Sequence, residues 1–219
     1  MTLWTYENVN VHWLGHDSFV LEGSRTVILD PFQVKANYKA DLMLITHEHS
    51  DHLSVDDIAL FSTPATKIIA AKQCENSLGK FRQEKTFLSP GSKVEHLGVS
   101  VEAVPAYNVN KFRAPGQPFH PKQDGKVGYI VNLDGVKFYH AGDTDSIPEM
   151  KQVNVDVALL PVSGTYVMTA EEAAAAVKGM RVKVAVPMHF GKIVGSRADA
   201  EKFKSLVGSY CRVEILEKE

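Results

Sequence analysis

Cysteine is nearly missing from the 219 residues, which carry only Cys74 and Cys211, far apart in sequence. A disulfide scaffold is thereby excluded, and a reducing compartment fits better. No uninterrupted apolar run approaches the roughly 20 residues that a bilayer span requires. The segment Met1 to Asn10 has no basic region ahead of an apolar core, so no membrane association and a cytoplasmic location are expected. Charge of one sign is lacking too: 24 basic residues against 26 acidic ones leave a net charge of -2. Such a chain offers no cationic field to a phosphate backbone, and no nucleic-acid partner is expected.

What is present is an ordinary folding composition, 44% hydrophobic and 23% charged, with no linker or shift in composition along it. One domain over residues 1–219 is the expectation. Its densest chemical feature is Thr46-His47-Glu48-His49-Ser50-Asp51-His52. His47 and His49 are two apart, so on a locally extended chain they lie on one side and can grip one ion. Asp51 and His52 diverge as neighbours and are better placed for a second ion. Solvated loop residues are the bland alternative, which three histidines and an aspartate after an apolar run fit poorly. With no cysteine in the cluster the donors are nitrogen and oxygen, which suits a divalent pair of Zn, Mn or Fe.

Taken in order, Val9 to Leu14 and Ser18 to Leu21 read as strands interrupted by Gly15-His16-Asp17, which puts His16 on a loop. Arg25 to Leu29 is a strand ending at Asp30-Pro31, and Asp41 to Thr46 is a buried strand that delivers the histidine motif. Ser54 to Asp57 has capping-box spacing and opens a helix. Thr66 to Ala71 reads as a strand, Lys72 to Phe81 as a helix, and Lys93 to Leu97 with Val99 to Val104 as a strand pair.

Residues 107–126 hold three prolines and no periodicity, a long loop of the kind that serves as a functional lid. Lys111, Arg113 and Lys122 in it could meet an anionic substrate. Asp134-Gly135 marks a hairpin between Val127 to Leu133 and Val136 to Tyr139, whose second strand runs into His140-Ala-Gly-Asp143. Val155 to Leu160 and Val182 to Val186 are buried strands, the latter releasing His189. Thr169 to Glu172 and Ser196 to Asp199 open two helices, and Val213 to Leu216 reads as a last strand.

His47-x-His49-x-Asp51-His52, followed by Gly142-Asp143-Thr144 and a late His189, resembles the signature of the metallo-β-lactamase superfamily. Trp13-Leu-Gly-His16-Asp-Ser-Phe19 and Pro187-Met-His-Phe-Gly191 look most like its branch that includes L-ascorbate-6-phosphate lactonase. The resemblance implies an α+β fold, the αββα sandwich, with two mixed sheets packed face to face and helices outside. The ordering of strands and helices suits that architecture. The resemblance further implies that Asp143 bridges the ions, that His189 completes the second site, and that Asp30 steadies the ligands from behind. His16 would face the metals and contact substrate or shuttle a proton.

The chain departs from the family pattern at one place. A third histidine for the first ion is usual near Pro105 to Asn108, where Tyr107 and Asn108 stand instead. His120 is then a ligand, a substrate contact or a plain surface histidine. His12 and His96 read as structural.

The implied activity is a hydrolase in which the paired ions lower the pKa of a shared water from ~15.7 towards ~7. Asp51 or His16 would manage protons. A lactone or other ester of a small, possibly anionic substrate is the most economical target, with a phosphodiester as the nearest rival. A di-iron redox protein and an inactive metal-binding sensor are the other readings. Oligomeric state is not legible.

Overall fold

The computed structural model describes residues 4–35 and 37–219. Its first sheet runs in chain order: β1 (Trp4–Tyr6), β2 (Val9–Gly15), β3 (Ser18–Glu22), β4 (Thr26–Leu29), β5 (Leu42–Ile45), β6 (Lys67–Ala71) and β7 (Glu84–Leu88). The early strands are an antiparallel meander, and β4 to β7 are parallel. All of Leu42–Ile45 is buried, as a strand covered on both faces requires.

Next come β8 (Lys93–His96) and β9 (Val99–Pro105), a small hairpin of β10 (Phe112–Ala114) and β11 (Gln117–Pro118), then β12 (Val127–Leu133), β13 (Val136–His140), β14 (Asn154–Pro161), β15 (Arg181–Met188) and β16 (Arg212–Val213). The second sheet has the order β16-β15-β14-β13-β12-β9-β8, parallel from β13 to β16 and antiparallel elsewhere. Asp134 and Gly135 turn β12 into β13 with φ of 53° and 85°, the left-handed geometry that an Asp-Gly hairpin supplies at low cost.

The sheets share one core and meet where β5 faces β12. The Tyr129 hydroxyl donates to the Ile45 carbonyl at 2.9 Å, and the Val127 N–H to the Thr46 carbonyl at 3.2 Å. Three helices complete the α+β sandwich: α1 (Val55–Phe61), α2 (Ala170–Gly179) and α3 (Arg197–Val207). Helices α2 and α3 pack on each other and on β15. Both begin with a reciprocal capping box, Thr169 with Glu172 and Ser196 with Asp199. Among the described residues no helix is long and apolar enough to cross a membrane.

Two expectations need correction. The span Lys72 to Phe81 is not a helix: only Lys72–Cys74 forms a single 3-10 turn, because Asn76, Ser77 and Gly79 favour turns over helix. The last strand is short, since the chain beyond Val213 leaves the second sheet and reaches the first, where Lys218 pairs with Trp13. Strands β1 and β7 lie outside the segments that the sequence pattern marks as strands. The long loop of residues 107–126 contains the short hairpin of β10 and β11.

Candidate metal centre

Strand β5 ends at Ile45, and the chain then coils around His49, whose carbonyl accepts from the N–H groups of His52 at 3.0 Å and Leu53 at 2.7 Å. That tight turn aims the histidines of one short segment in two directions. His47, His49 and His120 form one group of donor atoms lying within 4.8 Å of one another, and His16, Asp17, His52 and His189 form another.

Asp143, three residues past the end of β13, stands between them. Its Oδ1 is 3.2 Å from His52 Nε2 and 3.3 Å from His189 Nε2, while its Oδ2 is 3.5 Å from His120 Nε2 and 4.0 Å from His47 Nε2. One carboxylate therefore faces both groups with different oxygens. His47 Nε2, His52 Nε2, His189 Nε2 and Asp143 Oδ1 are buried and make no hydrogen bond. Buried polar atoms that converge without partners fit divalent ions, and the nitrogen and oxygen donors suit them chemically.

The other ring nitrogens are held. His52 Nδ1 lies 2.8 Å from Asp30 Oδ2, and that carboxylate also accepts from the Thr46 N–H at 2.8 Å and hydroxyl at 2.5 Å. Ser163 Oγ is 3.0 Å from His189 Nδ1, and Thr46 Oγ1 is 3.0 Å from His47 Nδ1. Such contacts fix the ring orientation and leave Nε2 directed inward. Asp51 Oδ2 is 3.2 Å from His16 Nε2 and 4.0 Å from His52 Nε2, so it faces two buried histidines of the second group.

The long loop supplies what Tyr107 and Asn108 do not. The Tyr107 hydroxyl donates to Glu149 at 2.9 Å and the Asn108 amide to the Tyr166 carbonyl at 2.8 Å, so neither side chain turns to the donor groups. His120 arrives instead, buried rather than at the surface, because Asn108 clasps its backbone. The loop cations are engaged within the protein. Lys111 donates to Glu172 at 2.7 Å, Lys122 to Glu149 at 2.8 Å and Arg113 to the Phe119 carbonyl at 3.1 Å. Lys111 and Lys122 are thus paired with acids, whereas Arg113 is bonded only to a backbone carbonyl.

The electrostatics of the groups differ. Burial pushes His47 well below the usual imidazole range, lowers His49, and takes His120 to about 4, with cationic neighbours reinforcing each shift. Burial also opposes charge on His52 and His189, but Asp143 with Asp30 outweighs it for His52, and Asp143 with Asp17 for His189. His52 is held well above the usual range and His189 at about 9. Against burial, His189 and His52 keep Asp143 well below the carboxylate range, and a hydrogen bond from His16 takes Asp51 to about 2.

Several participants escaped the sequence reading. Asp17 is one, although its place beside His16 at a strand end was a usable signal. Lys126 is another: it is 2% exposed and donates to Glu48 Oε1 at 2.5 Å. No local pattern predicts that pairing, which joins residues 78 apart. His140, whose Nε2 donates to the Asp17 carbonyl at 2.8 Å, supports the site from behind. His12 and His96 bond to Glu219 and Thr86 in structural settings.

Comparison with known proteins identifies the family. Residues 10–189 match the family described as "Beta-lactamase superfamily domain". A UPF0173 metal-dependent hydrolase of Thermococcus onnurineus is 35% identical over 95% of this chain and 96% of its own length. Its counterpart in Thermoplasma acidophilum is 34% identical over 97% and 98%. The solved structure of a metallo hydrolase from Ignicoccus hospitalis superposes with a TM-score of 0.78 at 26% identity, covering 95% of each chain. The chain belongs to the β-lactamase superfamily and, within it, to the UPF0173 family of metal-dependent hydrolases.

Proposed function

We propose that this protein hydrolyses a lactone or other carboxylic ester of a small substrate, using a divalent pair held by His47, His49 and His120 on one side and Asp51, His52 and His189 on the other, with Asp143 between. The observation that carries the reading is the two-sided placement of Asp143, each oxygen facing a separate group of buried donors. Bound divalent ions would supply Lewis acidity and a reactive water at neutral pH.

The chain's own residues do the rest. Asp51 is ionised at neutral pH, half-buried, and hydrogen-bonded to His16, so the pair can accept a proton from the attacking water and return it to the leaving alcohol. Asp30, Thr46 and Ser163 hold the ring orientations while this happens, which keeps the reacting geometry from relaxing. A carbonyl ester suits the site better than a phosphodiester because Lys111, Lys122 and Lys126 are already paired with acids. A phosphodiester brings a permanent charge that the ion pair alone, and none of these three lysines, would meet.

The test begins with metal quantification on protein purified without added metal. Reconstitution with Mn, Zn and Fe would follow, assayed against lactones, simple esters, thioesters and phosphodiesters. Lactone or ester turnover that disappears in Asp143→Asn supports the proposal. Turnover of phosphodiesters alone would overturn the substrate class. Metal-independent or absent hydrolysis, or a redox-active iron pair in its place, would overturn the hydrolase reading.

A further inference from the structure

We propose that Asp17 is a direct ligand of the second ion, giving that position five protein donors and a preference for a six-coordinate divalent ion of the Mn(II) or Fe(II) class over tetrahedral Zn(II). The inference rests on the two-ion reading above and extends it to a residue and a metal class.

An aspartate in a turn between two strands ordinarily points to water and bonds its own backbone. Asp17, between β2 and β3, does neither. Its side chain is wholly buried, and neither Oδ1 nor Oδ2 has a hydrogen-bond partner. A carboxylate left so is costly unless a cation is there to meet it. What surrounds Oδ2 is a ring of imidazole nitrogens: His16 Nε2 at 3.4 Å, His52 Nε2 at 3.8 Å and His189 Nε2 at 3.9 Å. These separations exceed the range of a good N–H···O bond. They lie nearer the spacing of two ligands on one ion, which for bonds of ~2.1 Å is about 3.0 to 3.4 Å. The Nε2 atoms of His52 and His189 are left without partners, while their Nδ1 atoms are occupied by Asp30 and Ser163.

The turn is built to hold this aim. His16 has φ of 55°, a left-handed conformation that a side-chain-bearing residue adopts only under constraint. Three bonds impose it. Trp13 Nε1 donates to the His16 carbonyl at 2.9 Å, the His189 N–H to the same carbonyl at 3.1 Å, and His140 Nε2 to the Asp17 carbonyl at 2.8 Å. Both the late histidine strand and β13 thus brace the backbone of Asp17.

Donor number then separates the metals. Asp51, His52, Asp143 and His189 supply four ligands, the full complement of a tetrahedral zinc site. Asp17 makes five, three of them carboxylates. Such oxygen-rich sets of high coordination number suit Mn(II) and Fe(II), with one position left for water or substrate.

The experiment compares wild type, Asp17→Asn and Asp17→Ala by equilibrium dialysis with Mn(II) and with Zn(II), metal content being measured directly. The Co(II)-loaded proteins are read by visible absorption. Both variants are expected to lose at least about tenfold in Mn(II) affinity at one site only. Their second-site preference should move towards zinc, and their Co(II) bands should intensify as coordination number falls. The ion held by His47, His49 and His120 serves as the reference that each variant is folded. X-ray absorption on Mn-loaded wild type provides a test without mutation: five or six neighbours are expected at the second position, and four would overturn the assignment. Wild-type Mn(II) affinity and an unchanged Co(II) spectrum in Asp17→Asn would overturn it as well, while leaving the two-ion reading intact. A wild-type protein that binds no second ion would sink both.

Discussion

Asn108 and His120, twelve residues apart, clasp each other by two hydrogen bonds: the Asn108 N–H donates to the His120 carbonyl at 2.8 Å, and the His120 N–H to Asn108 Oδ1 at 2.9 Å. Between them lies the hairpin of β10 and β11, so the clasp closes a loop and brings a distant imidazole beside His47 and His49. Replacing Asn108 with alanine removes one bond of the clasp, together with the amide's bond to the Tyr166 carbonyl, and frees the histidine to drift. Affinity for the first ion should fall by about 10- to 100-fold, the cost typical of losing a group that orients a ligand, with the second ion unaffected. Equal metal content in dialysed wild type and variant would show that the loop needs no clasp.

Asp30 serves three donors at once, the Thr46 N–H, the Thr46 hydroxyl and His52 Nδ1, in a fully buried position. Asp30→Ala leaves all of them unpaired. We expect a loss of about 3–5 kcal/mol in chemical denaturation of the metal-free protein, the range for removing one partner of a buried charged network. Asp30→Asn keeps the shape and should lose less. Two curves that overlay with wild type would contradict this role.

Without metal, the histidines impose two opposite pH dependences. His189 is raised to about 9 in the folded state, so its charge stabilises the fold below an unfolded pKa of 6.5, and that contribution disappears as pH rises from 6.5 through about 9. His120 is lowered to about 4, so the unfolded chain binds the extra proton and stability falls as pH drops from 6.5 towards 4. The chelated protein should therefore be most stable near pH 6.5. Metal competes with the proton on His52 and His189, so the loaded protein should gain on the apo form as pH rises. Thermal melts of both forms between pH 4 and 9.5 check this, and a flat apo profile would sink it.

Lys126 is buried and Glu48 half-buried, which makes their pairing asymmetric. Glu48→Ala strands a cation beside the first histidine group, whereas Lys126→Met leaves a carboxylate that water can still reach. The first variant should therefore lose more stability, about 2 kcal/mol or above, and the double variant less than the sum of the two. Denaturation of the four proteins in a cycle measures the coupling. A coupling indistinguishable from zero would mean that the pair contributes nothing.

Local chemistry in the sequence determined a good deal. The capping boxes at Thr169 and Ser196, the Asp-Gly turn at 134–135 and the apolar run ahead of Thr46 each depend on near neighbours, and each lies where the pattern puts it. The motif at 46–52 is likewise legible, because its donors are packed into one turn. Asn76, Ser77 and Gly79 turn the chain where a helix is expected, since a short apolar pattern cannot by itself separate helix from turns.

Tertiary structure alone decided which donors meet. His120 reaches His47 only through the Asn108 clasp, Lys126 finds Glu48 only because β12 passes β5, and Asp17 is buried only because β13 and β15 brace its turn. Each is a contact between segments distant in sequence, set by how two sheets pack, and periodicity carries no information about such contacts.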